Sequence, residues 1–244
     1  MAFLYETHIH TREGSGCGVS RGREYIRRYL DLGYTGIIIT DHFFRGNCRA
    51  DRNLPWRKWV NEFCRGYEAA LEEGKRQGLD VFFGWEETIE GHDYLVYGLD
   101  KEWLLEHPES SAWTVQEQFE EVRAYGGCVV LAHPFRYPEK NKRVPFPSWQ
   151  MDALEAANSG NNEISDVFAW AHAKELEIPA TAGSDIHYAG DIWPETIFGV
   201  YLDKKMETIA DYVDAILNNT ITALKVPPGR FSLNGTATLN GAED

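Results

Sequence analysis

The strongest constraint on this chain is a recurrence: short, almost continuous apolar runs, several of which end on a histidine or an acid. The runs are FLYETH (3–8), GIIIT (36–40), DVFFG (80–84), DYLVYG (93–98), GCVVLAH (127–133), DALEAAN (152–158), PATAGSD (179–185) and FGVYL (198–202). Strands covered on both faces read this way, whereas a strand with one wet face alternates apolar and polar residues. Helical periodicity fills the gaps. Ile26, Tyr29 and Leu30 form one stripe between a Ser20 cap and Gly33. Trp56, Val60, Phe63, Tyr67, Ala70, Leu71 and Gly74 form one face of a single helix predicted from Trp56 to about Gln77. Further helices are expected over about 114–125, 162–176 and 206–218. Strand and helix alternating along 244 residues predict a single α/β domain, with a parallel sheet either open or closed into a barrel. That domain spans 1–230, and the segment 231–244, which ends in SLNGTATLNGAED, reads as a weakly packed tail.

Composition narrows the functional classes. A formal charge of −14 argues against nucleic acid as a partner, because such binding draws on Lys and Arg meeting phosphates. An anionic substrate must therefore meet local positive charge, which bound divalent cations can supply. Cys17, Cys48, Cys64 and Cys128 are scattered with no C-x-x-C pair, so neither a disulfide framework nor a thiolate zinc site is expected. No apolar run approaches the roughly 18 residues of a membrane span, and no basic, apolar and small-residue leader opens the chain. The expectation is a cytoplasmic protein with no membrane partner; no segment specifies an oligomeric state.

The polar ends of the runs carry the chemistry. In HIH, His8 and His10 stand at i and i+2, so both imidazoles point to one face of a strand. His42, His133 and His187 also fall at or just beyond strand ends, joined by Asp41, Glu86 and Asp185, and DIH repeats the spacing of HIH. In parallel α/β architectures the carboxyl edge of the strands is where sites are built. Converging acids and imidazoles are costly to bury without a ligand, and cations remove that cost. Nitrogen and oxygen donors without thiolate suit zinc, manganese or iron, and a bridging carboxylate suits more than one ion.

These residues also carry a resemblance. THIHT, TDHF, GWEET, LAHPFR and GSDIH, in this order between about residues 5 and 190, resemble the motifs of the polymerase and histidinol phosphatase (PHP) family. The resemblance implies a distorted (β/α)7 barrel holding two or three divalent ions (Mn, Fe or Zn) at the carboxyl ends of its strands. It assigns His8 and His10 as the first ligand pair, His42 as the ligand after the second strand, and Glu86 as the bridging carboxylate. His133 becomes the ligand in the HP turn, and Asp185 and His187 the closing pair. Two family ligands lack a clear counterpart: the loop TREGSGCG offers only Glu13, and GHDYLVYGLD offers His92, Asp93 and Asp100.

The reaction expected is hydrolysis of a small phosphomonoester. A metal would lower the pKa of a bound water from about 15.7 toward about 7, giving a hydroxide to attack phosphorus. Arg136 would neutralise phosphoryl charge, or else form a surface salt bridge. His42 and His187 are the candidates for protonating the leaving group. The same ligands would also serve a phosphodiesterase, with Trp56, Trp59 and Trp85 lining a longer groove, a metal amidohydrolase, or a metal-binding regulatory module without turnover. Arg45, Arg49, Arg52, Arg57 and Lys58 either draw anions toward the mouth or form a solvated helix approach. The glycines of GSGCGVSRG match no nucleotide-binding pattern and are taken as a mobile loop beside the metals. His107 and His172 are read as structural or surface groups.

Overall fold

The computed structural model describes residues 2–137, 150–230 and 236–238. Its strands are β1 (Phe3–Ile9), β2 (Gly36–Ile39), β3 (Asp80–Ile89), β4 (His92–Tyr97), β5 (Cys128–Leu131), β6 (Ala153–Asn158), β7 (Ala180–Gly183), β8 (Gly199–Leu202), β9 (Ala223–Lys225) and β10 (Thr236–Thr238). The helices are α1 (Gly22–Asp31), α2 (Trp56–Phe63), α3 (Arg65–Gln77), α4 (Lys101–Glu106), α5 (Val115–Ala124), α6 (Glu163–Leu176) and α7 (Ile209–Leu217). The strands pair in the order β10-β9-β8-β1-β2-β3-β4-β5-β6-β7. Every residue of β2, β5, β6 and β7 is buried, which is why those runs are continuous rather than alternating.

The seven strands β1 to β7 curl until the last meets the first. Thr7 Oγ1 donates to the Ala182 carbonyl at 2.8 Å, and the His10 N–H donates to the Ile186 carbonyl at 3.0 Å. The result is a single α/β domain built on a nearly closed, distorted barrel, one of the two forms the strand–helix alternation allowed and the one the PHP resemblance implied. Its strands are not all parallel. β3 and β4 form an antiparallel hairpin, and β4 also runs antiparallel to β5. The hairpin turns on Glu90 (φ 52°) and Gly91 (φ 85°), two left-handed residues in succession, the geometry a tight two-residue turn requires. Because β4 is reversed, its first residues lie at the edge where the parallel strands end.

Three local expectations are corrected. The helix predicted over Trp56–Gln77 is two helices, α2 ending at Phe63 and α3 starting at Arg65, with Cys64 between them. Ser20 is not the cap of α1: Arg21 occupies that position, and Ser20 Oγ accepts instead from the Ala189 N–H at 3.0 Å. A further helix, α4, begins where Asp100 accepts from the Trp103 N–H at 2.8 Å. β10, which pairs with β9, falls within the predicted tail; residues 231–235 and 239–244 of that segment lie outside the described residues.

One close approach ties the outer layer to the barrel mouth. α1 and α3 cross at Gly22 and Gly66, and a Cβ on Gly22 would sit 2.2 Å from the Gly66 carbonyl. A Cβ on Gly66 would sit 1.9 Å from Thr11 Oγ1, and Thr11 itself holds Asp41 through two contacts of 2.6 Å. Gly66→Ala is therefore expected to lower stability by about 1–3 kcal/mol through overpacking, despite a helix-propensity gain of up to about 1 kcal/mol. Urea unfolding checks this, and an unchanged or higher midpoint would contradict it.

Candidate metal centre

The carboxyl edge of the barrel gathers the sequence-predicted donors. β1 contributes His8 and, one residue past its end, His10; the segment after β2 contributes His42, which bridges to Glu86 in β3. His133 follows β5, and Asp185 and His187 follow β7. His133 (φ 31°) and Asp185 (φ 53°) both have left-handed backbones. Strain of that kind costs on the order of 1–3 kcal/mol and persists where surrounding structure holds a side chain in place for a task.

Glu86 lies at the centre, fully buried. Its Oε1 is 3.0 Å from His133 Nε2 and 3.4 Å from His8 Nε2; its Oε2 is 2.8 Å from His42 Nδ1 and 3.3 Å from His10 Nε2. Asp185 Oδ1 is 2.9 Å from His10 Nε2 and 3.5 Å from His8 Nε2. The donor atoms form three overlapping groups able to hold a cation: His8, His10 and Asp185; His8, Glu86 and His133; and His10, His42 and His187. All seven predicted ligands fall in these groups. Two features fit cations better than hydrogen bonds. The His8 and His10 Nε2 atoms face each other at 3.1 Å, and buried His42 Nδ1 and Glu86 Oε2 make no properly oriented hydrogen bond despite their 2.8 Å separation.

The electrostatics follow from this crowding. Burial opposes the charged form of Glu86 and Asp185, yet the facing imidazoles hold both carboxyls well below their usual range. Burial likewise opposes protonation of His8, but the Glu155, Asp185 and Glu86 carboxylates raise it well above its ordinary value. His42, beside Glu86, is raised to about 11. Deeper in the barrel, burial pushes Glu6 up to about 7.

A supporting layer escaped the sequence reading. His8 Nδ1 donates to Glu155 Oε1 at 2.9 Å, and Glu155 Oε2 accepts the His133 N–H at 2.9 Å. His10 Nδ1 is 3.1 Å from Ser15 Oγ, which in turn donates to Asp41 Oδ1 at 2.6 Å. Both histidines thereby point Nε2 into the site, the arrangement by which outer carboxylates fix a ligating tautomer. Asp41 is thus part of the support. Glu155 was visible only as an acid inside an otherwise apolar strand run, DALEAAN.

Other candidates separate cleanly. Asp93 stands near the start of reversed β4 with Oδ2 3.8 Å from His133 Nε2, so it joins the site's rim. His92 shares a small pocket with Asp93, His133 and Arg136. Asp100 caps α4, and Glu13 accepts from the Gly22 N–H at 3.2 Å and lines a cleft of about 440 Å³ with Arg12, Arg21, Arg49 and Arg65. Arg136 is neither free nor on the surface: it donates to Asp185 Oδ2 at 2.6 Å and to Asn161 Oδ1 at 2.9 Å, and also engages Asn158. Arg45 and Arg52 bind backbone carbonyls of Trp113, Phe44 and Gly46. Trp59 and Trp85 are core residues, and Trp56 donates to the Leu104 carbonyl, so these rings do not line an open groove. His107, stacked on Trp103, and buried His172 on α6 have the structural character expected.

The glycine-rich loop after β1 is pinned rather than mobile: the Val19 and Ser20 N–H groups donate to the His187 carbonyl at 2.8 and 3.2 Å. It brings a residue the motifs did not flag. Cys17 Sγ lies 3.1 Å from His187 Nε2, and although burial opposes ionisation, His187 and His42 lower the thiol to about 5.

No family model matches the chain. A segment of 74 residues, 28% of the chain, is 32% identical to part of a 5'-3' exoribonuclease of Haemophilus influenzae, covering 27% of that protein. Among solved structures, a two-domain protein from Bacteroides vulgatus containing a predicted PHP-like metal-dependent phosphoesterase is similar over 93% of this chain and 66% of its own length, at TM-score 0.66 and 13% identity. An amidohydrolase from Chromobacterium violaceum, with sulfate bound and no metal, is similar over 86% of this chain and 96% of its own, at TM-score 0.55 and 15% identity. The chain thus spans just under two thirds of the first of these structures and matches about a quarter of the exoribonuclease. Its fold is the barrel of the PHP-like metal-dependent phosphoesterases.

Proposed function

We propose that this protein is a metal-dependent phosphoesterase acting on a small phosphomonoester. The observation that carries the reading is the buried face-off between His42 Nδ1 and Glu86 Oε2, 2.8 Å apart without a hydrogen bond, inside a nest of four further imidazoles and Asp185. Such a set is costly to bury unless cations sit among it. Divalent ions (Mn, Fe or Zn) when bound supply the charge that gathers phosphate oxygens and the acidity that activates water.

The chain's own residues would divide the remaining work. Glu86 reaches toward all three donor groups, so it would bridge ions and fix their spacing. Since His8 and His10 each offer only Nε2, they would share one ion with Asp185; Glu86 and His133, with Asp93 at the rim, would hold another; and His42 and His187 a third. Arg136 holds Asp185 through Oδ2, leaving Oδ1 toward His10, and would add positive charge for a phosphate bound at the ions. His187, 31% exposed, is the most accessible imidazole of the set; in a two-ion centre that leaves it unligated it would donate a proton to the departing alkoxide, with His42 the alternative donor on the same condition. The absence of an aromatic groove at Trp56, Trp59 and Trp85 favours a monoester. A phosphodiester substrate is the second reading, favoured by the segment shared with the exoribonuclease, and a panel of aryl phosphate monoesters and diesters separates the two. The four cysteines are unpaired, which fits a cytoplasmic setting, and no described helix is long and apolar enough to cross a membrane.

His8→Ala and Asp185→Ala are each expected to lose bound metal and phosphate release while keeping the native circular dichroism spectrum; full metal content in both would contradict the coordination. Glu155→Ala, which frees the His8 ring without removing a ligand, should weaken metal affinity about 10- to 100-fold, measured by competition with a chromogenic chelator. The raised His8 and His42 are protonated at neutral pH in the metal-free protein, and ligation needs neutral rings, so loading must expel protons and affinity must rise with pH. Calorimetric titration in buffers of different ionisation enthalpy would show that release; buffer-independent heats would rule it out.

A further inference from the structure

The loop between β1 and α1 delivers a sulfur to the cluster of His10, His42 and His187. Cys17 Sγ is 3.1 Å from Nε2 of His187, the imidazole that groups with His10 and His42. A tetrahedral zinc with ordinary Zn–S and Zn–N bonds sets sulfur and nitrogen roughly 3.6 Å apart, so the pair needs to open by only about half an ångström to admit an ion. A second sign of a ligand is Glu86: its side chain is fully buried, and its Oε2, which makes no oriented hydrogen bond, lies between the His42 and His10 rings of the same group. We infer that Cys17 is a thiolate ligand to an ion held with His42 and His187. This rests on the metal reading of the centre and adds to it a donor of a different chemical class.

The loop is shaped to present that thiol. Cys17 lies between two glycines: Gly18 tolerates no side chain, since a Cβ there would be 2.1 Å from the Thr11 carbonyl, and a Cβ on Gly16 would displace the Asn47 side chain, 2.5 Å away. The Gly16 N–H donates to the Asn47 carbonyl at 2.6 Å, and Val19 and Ser20 bind the His187 carbonyl, so thiol and imidazole are fixed to one another through backbone. The other cysteines, Cys48, Cys64 and Cys128, are buried in the core; Cys48 forms a backbone bridge to Ser15 of this loop, but its thiol donates to the Ala50 carbonyl. Charge argues the same way. His10, His42 and His187 are neutral when they ligate, and a thiolate gives this ion a negative donor of its own. Sulfur ligation also biases the position toward zinc or ferrous iron and away from manganese.

The test is titration of the metal-free, full-length protein with Co2+, followed by absorption. Expected are visible ligand-field bands together with an intense near-ultraviolet sulfur-to-cobalt charge-transfer band. Cys17→Ser should abolish the charge-transfer band while keeping the fold and ligand-field absorption from the remaining ligands. Cys17→Asp should bind cobalt without that band and shift preference from Zn2+ toward Mn2+ in competition. Ligand-field bands with no charge transfer in the wild type, or a charge-transfer band that survives Cys17→Ser, would overturn the assignment and leave the metal centre standing. Failure of the wild type to take up any Co2+ would overturn both.

Discussion

The structure is organised around a single carboxylate. Glu86 sits in a β-strand, fully buried, with both oxygens within 3.4 Å of imidazole nitrogens from three other stretches of chain. A group so placed cannot be solvated and cannot be neutralised by a single partner, so its surroundings must bring positive charge to it. The metal-free protein does this with protonated histidines. Cations would do it with the same nitrogens deprotonated. Loading an ion would thus exchange one kind of positive charge for another around the same carboxylate.

What could be read in the sequence, and what could not, follows from the range of the interactions. Strands buried on both faces leave continuous apolar runs, and the histidines and acids closing those runs stand out because such residues are rare there; hence an α/β sheet with polar groups gathered at one edge could be read from the residues, whereas its closure into a barrel and the choice of seven proposed ligands came from the PHP resemblance. The reversal of β4 was harder, since a buried antiparallel strand looks like a buried parallel one. Its only local signal is the pair Glu90 and Gly91, and EG is a weaker turn signature than NG or DG. The break at Cys64 leaves the i, i+3, i+4 pattern intact on both sides, so periodicity ran straight through it.

Partners chosen by three-dimensional proximity are the least legible. Glu155 is an acid in an apolar strand and Ser15 a serine in a loop; their bonds to His8 and His10 are set by strand register and loop path. Arg136 shows the same limit. Weighing substrate contact against a surface ion pair left out a third use, a buried anchor for Asp185, which its bonds to Asp185 and Asn161 support. Cys17 was set aside because thiolate sites are usually recognised by paired cysteines. Here the remaining donors are histidines distant in sequence.

The reversed hairpin has an effect beyond topology. Glu86 and Asp93 reach the mouth from the two arms of one ribbon, and the two-residue bend at its tip decides which residue faces which across it. A slip of one position would turn one arm's inward side chains to the opposite face. The bend therefore acts as a remote gauge: without touching an ion or a substrate, it sets how far apart two acids stand.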